Sequence, residues 1–277
     1  MTSTPAVWPT CAHIYELDSL GHVNNANYLD YLQQATAATW GKEIPARWAL
    51  RRLSMEHLAP ALHGDELEVL AWPAGVHDDL ACCGYAIRHA RHGHLLLRAR
   101  LEWAWEELKS GISWRSPTPW PQFDPDKALR VKPWRVPSDG RQAHTFLWRH
   151  QARGYEADAS GFINPAFLLR WTEEARLAAA REVGWTYQRM QEADSAVVVV
   201  RHDGEFHAPV TPGDSVQIES RVVEMRHVRG VWRHEITCRA QIVAVDFVSG
   251  GFLSQSGRIS PPPAALISAL VGRAAFD

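Results

Sequence analysis

One stretch of the sequence returns 140 positions later, and this duplication constrains the fold more than any other feature. The segment from Tyr15 to Ala35 aligns without a gap with the segment from Tyr155 to Ala175, and eight of the 21 positions are identical. Unrelated segments of that length would share roughly one or two residues, given average residue usage. The chain is therefore predicted to be a tandem duplication in which each copy forms the same fold.

A second pair of similar segments supports the repeat and locates an insertion. The segment E-H-L-A-P-A-L-H-G-D-E-L-E-V at Glu56–Val69 matches E-F-H-A-P-V-T-P-G-D-S-V-Q-I at Glu205–Ile218, which is an offset of 149 positions. The second copy has therefore gained nine residues between the two anchors. The helix-like segment Arg181–Glu192 is the simplest place for them.

A proline-rich segment separates the two copies. Prolines fix φ and remove a hydrogen-bond donor, so the segment suits neither a helix nor a central strand and is predicted to be a linker passing over the surface. We expect an N-terminal domain at 1–116, the linker at 117–143 and a C-terminal domain at 144–277.

Each copy shows the same predicted order: a short strand, a turn, a long helix and then further strands. The helices are predicted from about Asn25 to Trp40 and from Pro165 to Val183, and in the first of them apolar residues recur at spacings of mostly three and four. Strands are predicted at about 7–16, 66–72, 83–90 and 95–105, and at about 144–156, 215–224, 231–240 and 241–253.

The strand at 95–105 indicates how these elements pack. Leucine, alanine and tryptophan alternate there with arginine and glutamate, the period of two that is typical of a half-buried antiparallel strand. The long helix is the element that can pack on the apolar face of this strand. The predicted fold class is therefore α+β, with each half a long central helix wrapped by an antiparallel sheet.

Composition argues against several classes of partner and ligand. The 29 Lys and Arg nearly balance the 31 Asp and Glu without forming a basic stripe, which argues against nucleic acid. No apolar run approaches the length of a membrane span, and the first residues lack a signal peptide pattern. We therefore expect a cytoplasmic protein without membrane insertion. The four cysteines and scattered histidines show no metal-ligand spacing, so we expect no metal and no organic cofactor.

The turn before the first helix carries the residues that favour chemistry. Gly21 permits a backbone conformation closed to other residues, and Asn24 is a favoured N-cap. An N-cap leaves other first-turn amides unpaired, including that of Asn25, and such donors at a positive helix end suit an oxyanion. Asp18 can attack an activated carbonyl or deprotonate a water molecule. His22 can orient the substrate or help to protonate a leaving group.

The second copy keeps part of this turn. Asp158 matches Asp18, and the glycine and the N-cap asparagine are retained, but Phe162 replaces the histidine and Pro165 replaces Asn25. Proline has no amide hydrogen, although it is also a favourable first residue of a helix. The second copy is therefore predicted to have kept the fold and to have lost at least one site.

The motif D-x-x-G-H-V-N-N-x-x-Y-x-x-Y at Asp18–Tyr31, with a P-x-x-x-G-D element in both copies, resembles hotdog-fold thioesterases of the 4-hydroxybenzoyl-CoA thioesterase and acyl-ACP thioesterase group. The resemblance implies a double hotdog in which the fused copies replace a homodimer, and an acyl thioester of CoA or acyl carrier protein that lies between them. It also implies that Asp18 is the catalytic carboxylate and that the Asn25 amide binds the oxyanion. The residues expected to bind substrate are Gly21, Val23, Asn24 and Tyr28.

The resemblance is incomplete on the helix. Many relatives carry a glutamate pair there, which appears in the second copy as Glu173 and Glu174, whereas the first copy has Gln33 and Gln34. Asp158 and Glu174 are therefore secondary candidates. A composite site that combines Asp18 with a group such as Glu174 stays open at this point.

Hydrolysis of an acyl thioester at one principal site in the first copy is the leading hypothesis. A non-catalytic acyl-CoA-binding or scaffold protein is the alternative, and an enoyl-thioester hydratase or dehydratase is a third reading. The sequence leaves open the acyl chain, the choice between CoA and acyl carrier protein, and whether the chain forms a homo-oligomer.

Overall fold

The computed structural model describes residues 5–40, 46–107, 123–132 and 144–271. The chain divides into two compact units, Met1–Pro133 and Trp134–Asp277. Within the described ranges, no helix is both long and apolar enough to cross a membrane. The finer domain limits stay a prediction, because most of the expected linker at 117–143 lies outside the described residues.

Among its described residues, the first half contains one long helix and five strands. In chain order these are β1 (Ala6–Cys11), α1 (Asn27–Trp40), β2 (Ala46–His57), β3 (Glu66–His77), β4 (Leu80–His89) and β5 (Leu95–Glu107). The strands pair antiparallel in the order β1-β3-β4-β5-β2. Helix α1 lies against β1 and β3 and buries its apolar face, which includes Leu29, Leu32 and Ala35.

The second half repeats this arrangement. Its elements are β6 (Phe146–Gln151), α2 (Pro165–Glu182), α3 (Tyr187–Glu192), β7 (Ala196–Phe206), β8 (Ser215–Arg226), β9 (Arg229–Cys238), β10 (Gln241–Leu253) and α4 (Ala264–Val271). The strands pair antiparallel in the order β6-β8-β9-β10-β7, with α2 against β6, β8 and β10. The duplication and the α+β class are confirmed, and the inserted residues between the anchors include α3.

Strand β5 shows why one sheet face meets the helix. Leu97, Ala99 and Leu101 are buried, whereas Arg98 and Arg100 on the opposite face reach the carboxylates of Glu56 and Glu102, respectively. Because successive side chains of a strand point to opposite faces, one apolar face is left for the helix to cover. The predicted alternation is confirmed for these residues.

The structure corrects several predicted boundaries. The strand expected at 7–16 ends at Cys11, because Ile14–Glu16 turns as a 3₁₀ helix. The prediction missed β2 and β7. Each contains a register shift at its pairing with the neighbouring strand, near Leu50 in β2 and near Val199 in β7, and a bulge of this kind breaks the alternation by which strands are recognised.

Part of the expected linker packs on the first half. The Phe123 amide donates to the Pro73 carbonyl at 2.9 Å, and the Phe123 ring joins a small cluster with Leu70 and Trp72. A 3₁₀ helix follows at Lys127–Leu129. The segment at 123–132 is therefore held against the strands of the first half.

Candidate active site

The Asp18 side chain closes the turn that precedes α1. Its Oδ1 accepts the backbone amides of Leu20 at 2.8 Å and His22 at 3.1 Å, and the Asp18 amide donates to the His22 carbonyl at 2.7 Å. Gly21 has φ +77°, which bears out the conformation expected for it. One carboxylate oxygen of Asp18 therefore shapes the turn, while Oδ2 meets no donor within the described residues.

The loop between β2 and β3 fixes the turn on its other side. Val23 donates its amide to the Ala61 carbonyl at 2.9 Å, and the Ala61 amide donates to the Tyr28 hydroxyl at 2.9 Å. Burial raises the pKa of Tyr28 to about 12; the Ala61 bond opposes this shift and the nearby charge of Asp18 adds to it. Tyr28 is therefore a neutral, core-facing residue, and Val23 is also buried.

The start of α1 leaves one amide without an acceptor. Asn24 Oδ1 accepts the Ala26 amide at 2.9 Å, and the Asn24 carbonyl accepts the Asn27 amide at 3.0 Å. The helix consequently begins at Asn27, two residues later than predicted. Among the described residues, no oxygen accepts the Asn25 amide hydrogen. This hydrogen lies at the positive end of the helix, where an anionic oxygen is favoured.

Glu16 is a positioning residue that the sequence prediction missed. Its Oε2 accepts the Tyr31 hydroxyl at 2.6 Å and the His13 amide at 2.7 Å. Its backbone carbonyl accepts the Asn24 amide and Asn27 Nδ2, both at 2.8 Å. Glu16 therefore links the turn to α1. A glutamate occupies the aligned position in both copies, and this identity is the sequence signal that could have pointed to Glu16.

The second half uses the same link with a different aromatic residue. Glu156 Oε1 accepts Trp171 Nε1 at 3.0 Å, and Oε2 accepts the Arg153 amide at 2.7 Å. Trp171 is the aligned counterpart of Tyr31. The hydrogen bond from the helix to this glutamate is therefore part of the fold in both halves. Its effect on catalysis depends on which groups the adjoining turn exposes.

The turn before α2 offers fewer groups suited to catalysis than the turn before α1. Asp158 is exposed and its Oδ1 accepts both the amide of Ser160, at 2.8 Å, and the Ser160 hydroxyl. Asn164 caps α2 by accepting the Ala166 amide at 2.9 Å, the same bond that Asn24 makes. Pro165 follows at the first helical position and offers no amide hydrogen.

The surroundings of His22 and Glu174 do not by themselves indicate a catalytic role. His22 is half-buried, and no hydrogen-bond partner for its ring lies within the described residues. Glu174 is exposed, and its Oε2 lies 3.8 Å from a guanidinium nitrogen of Arg181. The composite site that would use Glu174 stays a prediction. In the described part of the chain, no group of three His, Cys, Asp or Glu residues could hold a metal ion.

In each half, five antiparallel strands pack on one long helix, and this repeated arrangement defines a tandem hotdog protein. A model of the thioesterase superfamily matches residues 20–96 and 160–244, one segment in each half and more than half of the chain. The chain therefore belongs to the thioesterase superfamily, and the resemblance of its first-half motif is confirmed.

Solved structures share the fold over nearly the whole chain. The 12:0-ACP thioesterase of Umbellularia californica is 14% identical with a TM-score of 0.70, covering 90% of this chain and 94% of that one. An acyl-ACP thioesterase of Bacteroides thetaiotaomicron VPI-5482 is 18% identical with a TM-score of 0.67, covering 91% and 100%. At these identities the likeness shows the fold, and the tandem hotdog is confirmed.

A curated relative matches one part of the chain. A protein of Aquifex aeolicus (strain VF5), which carries the name of an inferred esterase, is 28% identical over 80 residues. The match covers 29% of this chain and spans 62% of the length of that relative.

Proposed function

We propose that the chain hydrolyses an acyl thioester at one principal active site in the first-half turn. Asp18 acts as nucleophile or general base, the Asn25 amide binds the oxyanion, and His22 orients the substrate or protonates the leaving thiolate. One observation carries the proposal. Among the residues that the structure describes, none accepts the Asn25 amide hydrogen at the positive end of α1, and none donates to the second carboxylate oxygen of Asp18 in the same turn.

Either role of Asp18 gives the same overall reaction. As a base, Asp18 takes a proton from water, and the hydroxide attacks the thioester carbonyl. As a nucleophile, Asp18 forms a mixed anhydride, which water then hydrolyses. In both routes negative charge develops on the carbonyl oxygen before the C–S bond breaks, and the Asn25 N–H stabilises that charge. The products are a carboxylic acid and a thiol.

Membership of the superfamily supports a thioester substrate, and two proteins of the same fold are named for acyl carrier protein thioesters. The carrier proposed for this chain is CoA or acyl carrier protein. A panel of acyl thioesters on both carriers, with the released thiol detected by a disulfide dye, would measure chain length and carrier preference together.

The site is tested by a matched pair of substitutions. Asp18→Asn keeps an oxygen for the turn amides but removes the base, so we expect kcat/KM to fall by roughly 10² to 10⁴-fold. Asp158→Asn makes the same change at the aligned position and should leave turnover near that of the unmodified chain. Equal turnover by the Asp18→Asn protein and the unmodified chain would remove the assignment.

The two rival functions give different results with the same proteins. An acyl-binding scaffold would bind acyl-CoA in a calorimetric titration and release no thiol from any member of the panel. An enoyl-thioester hydratase would instead change the ultraviolet absorbance of an enoyl-CoA while the thioester bond stayed intact. Release of thiol that depends on Asp18 separates hydrolysis from both.

A further inference from the structure

Six aligned positions, two on the long helix and four on strands, differ in kind between the two halves. The strand registers place Ala71 opposite Tyr85 in the first half, and Ser220 opposite His234 in the second. The first-half set is mostly apolar and the second-half set is entirely polar. The first-half residues are Leu32, Thr36, Leu53, Ala71, Tyr85 and Ala99. The second-half residues are Thr172, Arg176, His202, Ser220, His234 and Asp246.

Most of the second-half set lies deep in the fold. Apart from Arg176, every member is less than 5% exposed. Polar groups at such depth cost free energy unless each has a hydrogen-bond partner. Asp246 is satisfied, because its Oδ2 lies 3.1 Å from both His202 Nδ1 and Thr172 Oγ1. His234 and Arg176 each keep a donor without an acceptor in the described part of the chain.

His234 is fully buried and bonded on one side only. Its Nδ1 lies 2.8 Å from Ser220 Oγ, whose hydroxyl has no other acceptor within the described residues. The serine therefore donates to Nδ1, which leaves the proton of a neutral ring on Nε2. That Nε2 has no partner in the described part of the chain. Burial lowers the pKa of His234 to about 3, so the ring is neutral, although Asp246 opposes the shift.

Arg176 supplies a second set of unused donors. Its side chain is 15% exposed, and its nearest carboxylate oxygen, on Glu173, is 3.9 Å away and beyond hydrogen-bond range. Burial lowers its pKa, and the charges of Glu173 and Glu174 oppose this. At the aligned positions of the first half, Thr36 Oγ1 and the Tyr85 hydroxyl lie 2.6 Å apart, so the repeated fold brings Arg176 and His234 close together. No acceptor for its guanidinium lies within the described residues.

We propose that the second half binds a carboxylate between α2 and its strands, with the Arg176 guanidinium and the His234 Nε2–H as its donors. Two carboxylate oxygens match a guanidinium fork and a nearby N–H, and such charge-assisted bonds are strong. A single negative charge fits better than a dianion such as phosphate, because Asp246 lies opposite His234 on the paired strand and a Glu173 oxygen lies 3.9 Å from Arg176. The partial exposure of Arg176 gives the ligand a way in.

The first half supplies the variant that tests this site. Arg176→Thr combined with His234→Tyr restores the residues of the first half, where Thr36 Oγ1 and the Tyr85 hydroxyl lie 2.6 Å apart. Arg181→Met removes an exposed arginine from the same helix and serves as the control. Arg176→Met provides a second test if the double variant unfolds at a lower temperature.

Calorimetric titration with acetate, butyrate, octanoate and glutarate measures binding, and butyramide is the neutral probe. We expect at least one carboxylate to bind, butyramide to fail, and both Arg176 variants to bind at least tenfold more weakly than the Arg181→Met protein. Failure of every carboxylate, or equal affinity in the variants, would overturn the proposal. The readout is binding, so it is independent of whether the chain hydrolyses thioesters.

The carboxylate has two sources, a free acid or the distal end of an acyl chain. Glutaryl-CoA and pentanoyl-CoA, titrated into the Asp18→Asn protein, separate them. A preference of tenfold or more for glutaryl-CoA that disappears on adding Arg176→Met assigns the site to the acyl chain. Equal binding of the two thioesters, with binding of free acids still dependent on Arg176, assigns it to a free acid.

Discussion

The Tyr31 hydroxyl donates to Oε2 of Glu16 at 2.6 Å, and through this bond α1 holds the residue whose carbonyl accepts the Asn24 amide. Burial raises the pKa of Tyr31 well above its ordinary value, and the bond to Glu16 adds to the shift. The hydroxyl is therefore a donor throughout the range in which enzymes are assayed. The bond sets where the turn places Asp18 and Asn25.

Tyr31→Phe should therefore lower kcat more than it changes KM. Removing the hydroxyl leaves Glu16 with fewer donors and loosens the turn, and a loss of roughly tenfold in kcat corresponds to about 1.4 kcal/mol of transition-state stabilisation. The loss should be the same from pH 6 to pH 9. Trp171→Phe removes the aligned donor in the second half and should leave kcat unchanged. Steady-state kinetics of both variants on one acyl-CoA would reveal a purely structural role if the two lost kcat equally.

Exchanging one residue between the two turns tests the oxyanion donor. Asn25→Pro removes the unbonded N–H, and the fold accepts proline there, because Pro165 follows the same asparagine cap in the second half. We expect kcat to fall by about 10² to 10³-fold, the effect of removing one oxyanion donor. Circular dichroism should show unchanged helix content. Full activity of the Asn25→Pro protein would mean that another group binds the oxyanion.

The reverse substitution is the control. Pro165→Asn restores an amide to the second-half turn, which still lacks a histidine at position 162. This variant should keep the activity of the unmodified chain. A gain of activity that survives addition of Asp18→Asn would instead place a latent site in the second half.

Sequence reasoning found the fold and the turn because both depend on local signals. Short runs of consecutive residues were enough to predict the repeat around Asp18 and Asp158, the alternation of β5 and the positive φ of Gly21. The start of α1 at Asn27 was missed, because capping depends on which acceptor the Ala26 amide meets, and that choice needs coordinates.

The pairings that cross the fold could not be predicted. The bond from Tyr31 to Glu16 joins residues 15 positions apart through a chain reversal. The polar row of His202, His234 and Asp246 spans three strands, and β7 itself was not recognised. Such contacts depend on register between distant segments, which the pattern within one segment does not determine.

A tight contact in the first-half sheet makes a stability prediction. A Cβ added at Gly84 would lie 2.3 Å from the indole of Trp72 on the paired strand, so Gly84→Ala forces this buried ring to move. Overpacking of this kind costs about 1 to 3 kcal/mol of the free energy of unfolding. Gly154→Ala adds the same methyl group where nothing lies within 4 Å and should be close to neutral. Urea titration of both variants measures the difference, and equal midpoints would contradict the packing described here.

The Glu156 carboxylate makes the stability of the chain depend on pH. Burial alone would raise its pKa, but the bonds from the Arg153 amide, His150 and Trp171 outweigh burial and lower it. A lowered pKa in the folded state means that the unfolded chain takes up the proton first as pH falls. The stability contributed by Glu156 is therefore fully present above the ordinary glutamate pKa, about 4.3, and is lost as pH falls through the lower folded value.

Glu156→Gln should remove this dependence. At pH 7 the variant loses hydrogen bonds to a charged group, so its free energy of unfolding should be lower by about 1.5 to 3 kcal/mol. Between pH 5 and pH 3 its stability should fall less steeply than that of the unmodified chain, and the two curves should approach each other. Trp171→Phe removes one donor and should give an intermediate slope. Urea unfolding at half-unit steps of pH measures all three, and parallel curves would show that Glu156 has the same pKa in the folded and unfolded chain.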